Sequence, residues 1–170
     1  MFSSTLIIHE FYYIILLKRG VNMSSTFVML KPDALERNLV DLIILDFQQA
    51  GYTIKRRQLV NVDEQTILAH YDEVIARVSL PGFKERILEV FVNQDVVILE
   101  IEKNEDVVAS VREFIGKTNP KEADPLSIRG KYGDDDMNEA IAQGRLVRNL
   151  VHASDSNESA QNEIALWFKE

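Results

Sequence analysis

The order of elements legible in these 170 residues predicts an α+β fold, an antiparallel sheet covered by helices. Two observations carry it. The periodicity reads β-α-β-(α-α)-β-α-loop-β-α, with strands too few for a doubly wound sheet. One of those strands, over residues 53–62, carries Lys55, Arg56 and Arg57 in succession, which suits an exposed sheet edge.

Taken in order, residues 26–30 (Thr-Phe-Val-Met-Leu) have no polar face and read as a central strand. Asp33-Ala34-Leu35-Glu36 reads as a capping box, and Leu39, Ile43, Phe47 and Ala50 follow at helical spacing until Gly51 stops the helix. After the 53–62 strand, Asp63-Glu64-Gln65 opens a helix ending near Tyr71. Phe83, Ile87, Leu88 and Phe91 give another short helix. Residues 96–102 are a strand with four straight apolar positions and then alternation. Glu105-Asp106 start a helix with Val107, Val108, Val111, Phe114 and Ile115 on its apolar face, ended by Gly116. A last strand is expected over 146–152, and a last helix over 156–168. Four strands and these connections fit a ferredoxin-like split βαβ sandwich: a four-stranded antiparallel sheet with extra helices. That fold hosts many activities and by itself assigns none.

Composition narrows the function classes. The length is that of one domain with a proper core. There are no cysteines, which removes disulfides and thiolate metal sites and is compatible with a reducing, cytoplasmic compartment. A net charge of −8 argues against broad nucleic-acid binding, which needs a basic face, but not against a nucleotide, which needs only a local cluster of cations. Residues 1–22 contain apolar runs at Leu6-Ile7-Ile8 and from Tyr12 to Leu17, interrupted by His9 and Glu10 and followed by Lys18-Arg19. They are too short to span a bilayer, and their positive charge follows the apolar stretch where a secretory signal would carry it before. The expectation is an appended segment, disordered or packed on a partner subunit, with the functional domain over 23–170. The chain ends soon after Trp167-Phe168, so a longer C-terminal tail for subunit contacts is expected to be absent.

Three blocks carry chemistry. In Arg148-Asn149-Leu150-Val151-His152-Ala153-Ser154-Asp155-Ser156, apolar Leu150 and Val151 end a strand, and Asp155 or Ser156 caps the next helix. His152 falls at the junction, where a side chain can face a cleft and free helix N–H groups can hold an anion. Glu163 on that helix can fix one ring nitrogen and leave the other as a nucleophile. Lys31, closing the 26–30 strand before Pro32-Asp33, puts a point charge in a cleft. Thr118-Asn119-Pro120-Lys121-Glu122-Ala123-Asp124-Pro125-Leu126-Ser127-Ile128-Arg129-Gly130 adds another cation in a loop of turn residues. Singly, each residue has an ordinary role: Lys31 as a solvated strand end, Arg112 as complement to a helix C-terminus, Tyr71 and Phe83 as core aromatics, Thr118 and Asn119 as turn formers. His9 and His70 read as surface or structural histidines.

Together, and in this order, the blocks resemble the nucleoside diphosphate kinase family, which has a KPD strand end, a TNP…ADPG-T-IRG loop and an N-x-x-H-G-S-D-S segment. The resemblance runs from about Met23 to the C-terminus. It implies that His152 is a nucleophile that becomes phosphohistidine, with Lys31 and Tyr71 near the transferred phosphate. It implies that Arg112, Thr118 and Arg129 hold nucleotide phosphates, that Asn149 meets the sugar, and that Glu163 and Ser154 orient the histidine. Phe83 falls where the family stacks a phenylalanine on the base, after an insertion of about four residues. Mg²⁺ would be bound through the nucleotide phosphates, with no protein metal ligands. The partners would be nucleoside di- and triphosphates and further copies of the chain, in tetramers or hexamers, with no membrane. The expected activity is transfer of a terminal phosphate from a nucleoside triphosphate to a nucleoside diphosphate by a ping-pong route. The rivals are a diverged nucleotide-binding module that turns over weakly, and side activities as a protein histidine-phosphate kinase or on nucleic acid.

The departures cluster around the phosphate loop. Ala34 and Ala153 replace glycines at small cost. Leu126 stands where the loop has glycine; if that position needs φ > 0, adjustment costs about 1–2 kcal/mol. Lys131 replaces an acid, and the loop 132–144 is long, with Asp134-Asp135-Asp136 expected to solvate it rather than bind a divalent ion.

Overall fold

The computed structural model describes residues 24–78, 80–103 and 106–169, so the segment 1–22, His9 and Glu105 lie outside the described residues. Four strands form one antiparallel sheet: β1 (Ser24–Leu30), β2 (Thr53–Asn61), β3 (Asp95–Lys103) and β4 (Val151–Ala153), in the order β2-β3-β1-β4. β1 pairs with β3 from Ser24↔Lys103 to Leu30↔Val97, and with β4 from Val28↔Ala153 to Leu30↔Val151. This is the ferredoxin-like order, and it puts the apolar runs 26–30 and 96–102 in the middle.

Both faces of those two strands are covered, which is why neither shows a polar side. Val28, Leu30, Val97, Leu99 and Ile101 pack against α2 (Val40–Gln49) and α6 (Val107–Ile115) through Ile43, Phe47, Val111 and Ile115. Phe27, Met29, Val96 and Ile98 pack against α3 (Glu64–His70), α5 (Phe83–Phe91) and α9 (Asn157–Trp167) through Ile67, Ile87, Phe91 and Trp167. Each such side chain is worth about 1.5–3 kcal/mol relative to exposure. β2 is the exposed edge, and its cations are paired: Lys55 with Glu100 and Glu102, Arg56 with Glu100, and Arg57 with Asp41.

Three expectations need correction. The helix over 33–50 is two helices, α1 (Pro32–Glu36) and α2, broken where Asn38 turns to a φ of 56°. Asp33 is not a capping box member: Lys31 is the N-cap residue, without a side-chain cap, and the Asp33 carboxylate is spent elsewhere. The last strand shrinks from 146–152 to Val151–Ala153.

Three helices lie outside the sequence reading, α4 (Asp72–Arg77), α7 (Ile128–Tyr132) and α8 (Met137–Ala142). The last of these explains the aspartates. Asp136 caps α8, accepting from the N–H groups of Asn138 and Glu139. Asp135 pairs with Arg145 and accepts from the Arg148 N–H, and Asp134 pairs with Arg37. They pin the long loop instead of solvating it.

Candidate active site

The site is assembled where β4 meets α9. Ser156 caps α9 by accepting from the Ser159 N–H at 3.0 Å, and this sets the direction in which the helix leaves the strand. Glu163, less than two turns into α9, then faces back towards β4. Its Oε1 lies 3.0 Å from His152 Nε2, and its Oε2 accepts from Ser154 Oγ at 2.5 Å. Burial holds the Glu163 carboxyl above the usual carboxylate range. His152 is partly exposed, and burial together with the Lys31 and Arg129 charges pulls its pKa down to about 3. The imidazole is therefore neutral at pH 7. A carboxylate on Nε2 fixes the proton there and leaves the Nδ1 lone pair available.

One residue ahead of β4 the backbone is strained. Leu150 has a φ of 67°, a conformation that Asn38 and Asn93 tolerate far better than a leucine. Its N–H donates to Asp33 Oδ2 at 2.9 Å, and its carbonyl accepts from the Lys31 N–H at 2.8 Å. The Lys-Pro-Asp block and the His152 block are thus stitched together by two hydrogen bonds. Asp33, expected as part of a capping box, instead ties the backbone beside His152; nothing local distinguishes the two roles.

The cations differ in kind. Lys31 Nζ donates to Asn149 Oδ1 at 2.7 Å, and burial, followed by the Arg129 charge, lowers its pKa to about 8. Asn149 Nδ2 in turn donates to the Thr118 carbonyl at 2.9 Å. Arg129 is buried, and its guanidinium donates to three backbone carbonyls: Asn149 at 3.3 Å, Gly116 at 2.8 Å and Val151 at 2.6 Å. It holds the site's backbone together and retains two N–H groups at most. Gly116 has no alternative, since a Cβ there would lie 2.2 Å from Ser127 Oγ and its φ is 84°. Arg112 and the Thr118 side chain are exposed, and the Arg112 charge acts on Arg129, His152 and Asp155.

The aromatic wall holds a surprise. Tyr71 lies 6.1 Å from the His152 ring, and burial, then the Glu163 charge, raises its pKa, so it is a neutral phenol. His70, set aside by the sequence reading as a bystander, stands edge-on to His152 with ring centroids 4.5 Å apart at 77°. Its Nδ1 accepts from the Trp167 indole N–H at 3.2 Å, and burial lowers its pKa to about 3. The end of α3 and the turn into α4 bring it there, and the sequence carries no signal for that turn. Phe83 is half-buried at the start of α5 and packs on the Phe27 cluster.

The altered loop is relaxed. Leu126 does not lie at positive φ; it is 87% exposed, and its N–H donates to Asp124 Oδ1 at 2.8 Å. Lys131 turns away onto Asp46 at 2.8 Å. The expected strain is absent.

Comparison with known proteins identifies the family. The sequence matches the nucleoside diphosphate kinase family over residues 24–170. A nucleoside diphosphate kinase of Synechococcus sp. (strain JA-3-3Ab) is 40% identical over 148 residues, 87% of this chain and 89% of that protein. One from Helianthus annuus is 36% identical over 148 residues, 87% of this chain and 90% of its own length. Among solved structures, a transition-state mimic of the Borrelia burgdorferi nucleoside-diphosphate kinase, with bound vanadate and ADP, superposes with a TM-score of 0.81 at 27% identity, covering 87% of this chain and 88% of that one. An NDP kinase from Pyrobaculum aerophilum gives 0.77 at 30% identity, with 87% and 97% covered. The chain belongs to the nucleoside diphosphate kinase family.

Proposed function

We propose that this protein moves the terminal phosphate of a nucleoside triphosphate to a nucleoside diphosphate in two half-reactions through His152. The observation that carries the reading is the neutral imidazole with Nε2 on Glu163 and Nδ1 free. In the first half-reaction Nδ1 attacks the terminal phosphorus, an N–P bond forms, and the bridging P–O bond breaks with its electron pair on the departing diphosphate. The second half-reaction reverses this with a different diphosphate in the same pocket. Lys31, Arg112 and the remaining N–H groups of Arg129 would face the phosphates, joined by Thr118 and the Tyr71 hydroxyl. Asn149 would meet the sugar and Phe83 the base, by stacking without base-edge contacts. Glu163 and Ser154 act through the imidazole.

Cations and neutral donors dominate the phosphate side of this cleft, so Mg²⁺ would be held by the nucleotide's own oxygens and would neutralise phosphate charge. The open edge of β2, with Leu59 62% exposed and Leu42 and Leu45 exposed on the neighbouring α2, supports assembly into a homo-oligomer. No helix among the described residues is long and apolar enough to cross a membrane. We place the protein in the cytoplasm; a chain without cysteine is compatible with a reducing compartment. A weakly active binding module would draw its support from a distorted phosphate loop, and the relaxed Leu126 withdraws it.

The test is steady-state exchange with ATP as donor and ADP, GDP, CDP or UDP as acceptor. Parallel double-reciprocal lines and a modest spread among acceptors are expected. Intersecting lines, or a preference above roughly three powers of ten for one base, about 4 kcal/mol, would contradict the shared-pocket scheme.

A further inference from the structure

We propose that His70, His152 and Glu163 form a binding site for a transition-metal dication such as Zn²⁺, and that the bound metal switches off phosphate uptake by His152. The site is argued from geometry alone; the switch rests on the reading of His152 as nucleophile.

One nitrogen from each imidazole and one carboxylate oxygen lie within 4.8 Å of one another. His152 Nε2 is 3.0 Å and His70 Nδ1 is 3.7 Å from Glu163 Oε1. Zinc bonds of 2.0–2.2 Å in a tetrahedron separate ligand atoms by roughly 3.4 Å, so each nitrogen needs to move only a few tenths of an ångström relative to Oε1, while the two ring nitrogens, within 4.8 Å of one another, would close by up to about an ångström through small ring rotations. Two histidines and one carboxylate with a fourth position open is a common zinc ligand set. The ligands are also pre-positioned. The His70 side chain is wholly buried, wedged between Phe27 at 5.8 Å and Trp167 at 5.7 Å, and edge-on to His152. Magnesium, a hard cation that keeps oxygen ligands and octahedral geometry, is a poor match, so the site would separate zinc from the metal carried by nucleotides.

Two features oppose binding. The Trp167 indole N–H would lose its acceptor on His70, and the Lys31 and Arg129 charges face His152. The Glu163 carboxylate offsets the latter by becoming a direct ligand.

The consequence follows from the tautomer. Without metal, the ring proton sits on Nε2 against Glu163, and Nδ1 carries the lone pair. A metal on Nε2 takes that nitrogen's electron pair, so the single ring proton must move to Nδ1. Nδ1 then has no lone pair to offer phosphorus, and nothing is oxidised or reduced. Removing the metal restores the nucleophile.

Equilibrium dialysis of the nucleotide-free full chain against Zn²⁺ tests the site directly. His70→Gln should weaken binding by at least the roughly ten-fold that loss of even an outer-shell partner costs, while His9→Gln leaves it unchanged. Equal affinity in wild type and His70→Gln overturns the site. Should His70→Gln fail to fold, Co²⁺ added to the wild type decides: intense visible bands of four-coordinate cobalt support the site, and only the weak bands of six-coordinate cobalt overturn it. For the switch, zinc-loaded protein at buffered free zinc is given labelled ATP and Mg²⁺. No phosphate uptake until a chelator is added is expected; uptake at the zinc-free rate overturns it. If the zinc-free protein takes no label, the nucleophile reading fails while the dialysis result stands.

Discussion

At the scale of single residues, the proposed site separates groups that would touch phosphate from groups that hold them. Glu163 belongs to the second class. Glu163→Gln removes the negative charge beside Nε2 and no longer fixes the tautomer, since the amide can present either its oxygen or its N–H there; kcat should fall by roughly two powers of ten or more with little change in KM. A change in KM alone would mean that Glu163 only shapes the nucleotide pocket. The titrations set the pH window. The His152 pKa is lowered, so the imidazole stays neutral until the pH approaches about 3 and acid inactivation does not follow an ordinary histidine. Lys31 is lowered to about 8, and its charge disappears as pH rises through that value. The kcat/KM of the free enzyme should therefore decline on the alkaline side near pH 8, and Lys31→Arg should move that decline upward. Stability obeys the opposite limb. His70 and His152 are depressed when folded, so the unfolded chain binds more protons between about 3 and 6.5, and stability drops as pH falls through that range. Urea midpoints of wild type and His70→Asn compared from pH 7 to pH 4 should converge; a constant gap would contradict a neutral, buried His70.

At the scale of elements, two connections hold the site, and the motifs that contain them do not reveal which backbone groups they bind. Asp33 reaches from the first turn of α1 to the Leu150 N–H, and Arg129 in α7 collects three carbonyls from Gly116, Asn149 and Val151. Asp33→Ala strands a buried N–H beside a backbone already at positive φ. It should cost about 1–3 kcal/mol in denaturant unfolding without nucleotide, and activity should fall with it. Arg129→Lys keeps the charge but cannot bridge three acceptors, so it too should destabilise the nucleotide-free protein. Unchanged stability would return Arg129 to a purely phosphate-binding role. These cases mark where the sequence was legible. The strands 26–30 and 96–102 declared themselves because both faces are buried; the starts of α6 at Glu105-Asp106 and of α9 at Asp155 or Ser156 were legible because capping is a local signal, and the caps are Asp106 and Ser156. Asp33, His70, Asp134 and Asp135 were misread because their partners lie outside their own element, and Asp136 because the six-residue helix it caps is too short for a clear periodic pattern. Val147 and Leu146 were counted into a strand because they are apolar, yet no neighbour pairs with them beyond Val151.

At the scale of the whole molecule, the motif-bearing residues lie within 24–169, which supports a domain that works without the first 22 residues. A protein beginning at Met23 should fold and keep near-full turnover. Loss of activity at unchanged solution mass would instead put the segment 1–22 at the active site. If the β2 edge forms the proposed subunit interface, Leu59→Glu, with Leu42 and Leu45 left intact, should lower the solution mass, and an unchanged mass would assign the interface to another face. All of these expectations presuppose the covalent intermediate. The decisive measurement is incubation with γ-labelled ATP and Mg²⁺ followed by acid and base treatment of the protein. Acid-labile, base-stable label on wild type, absent from His152→Ala while nucleotide still binds, is the expected result. Label that survives acid, or that persists in His152→Ala on His9 or His70, would contradict phosphate transfer through His152.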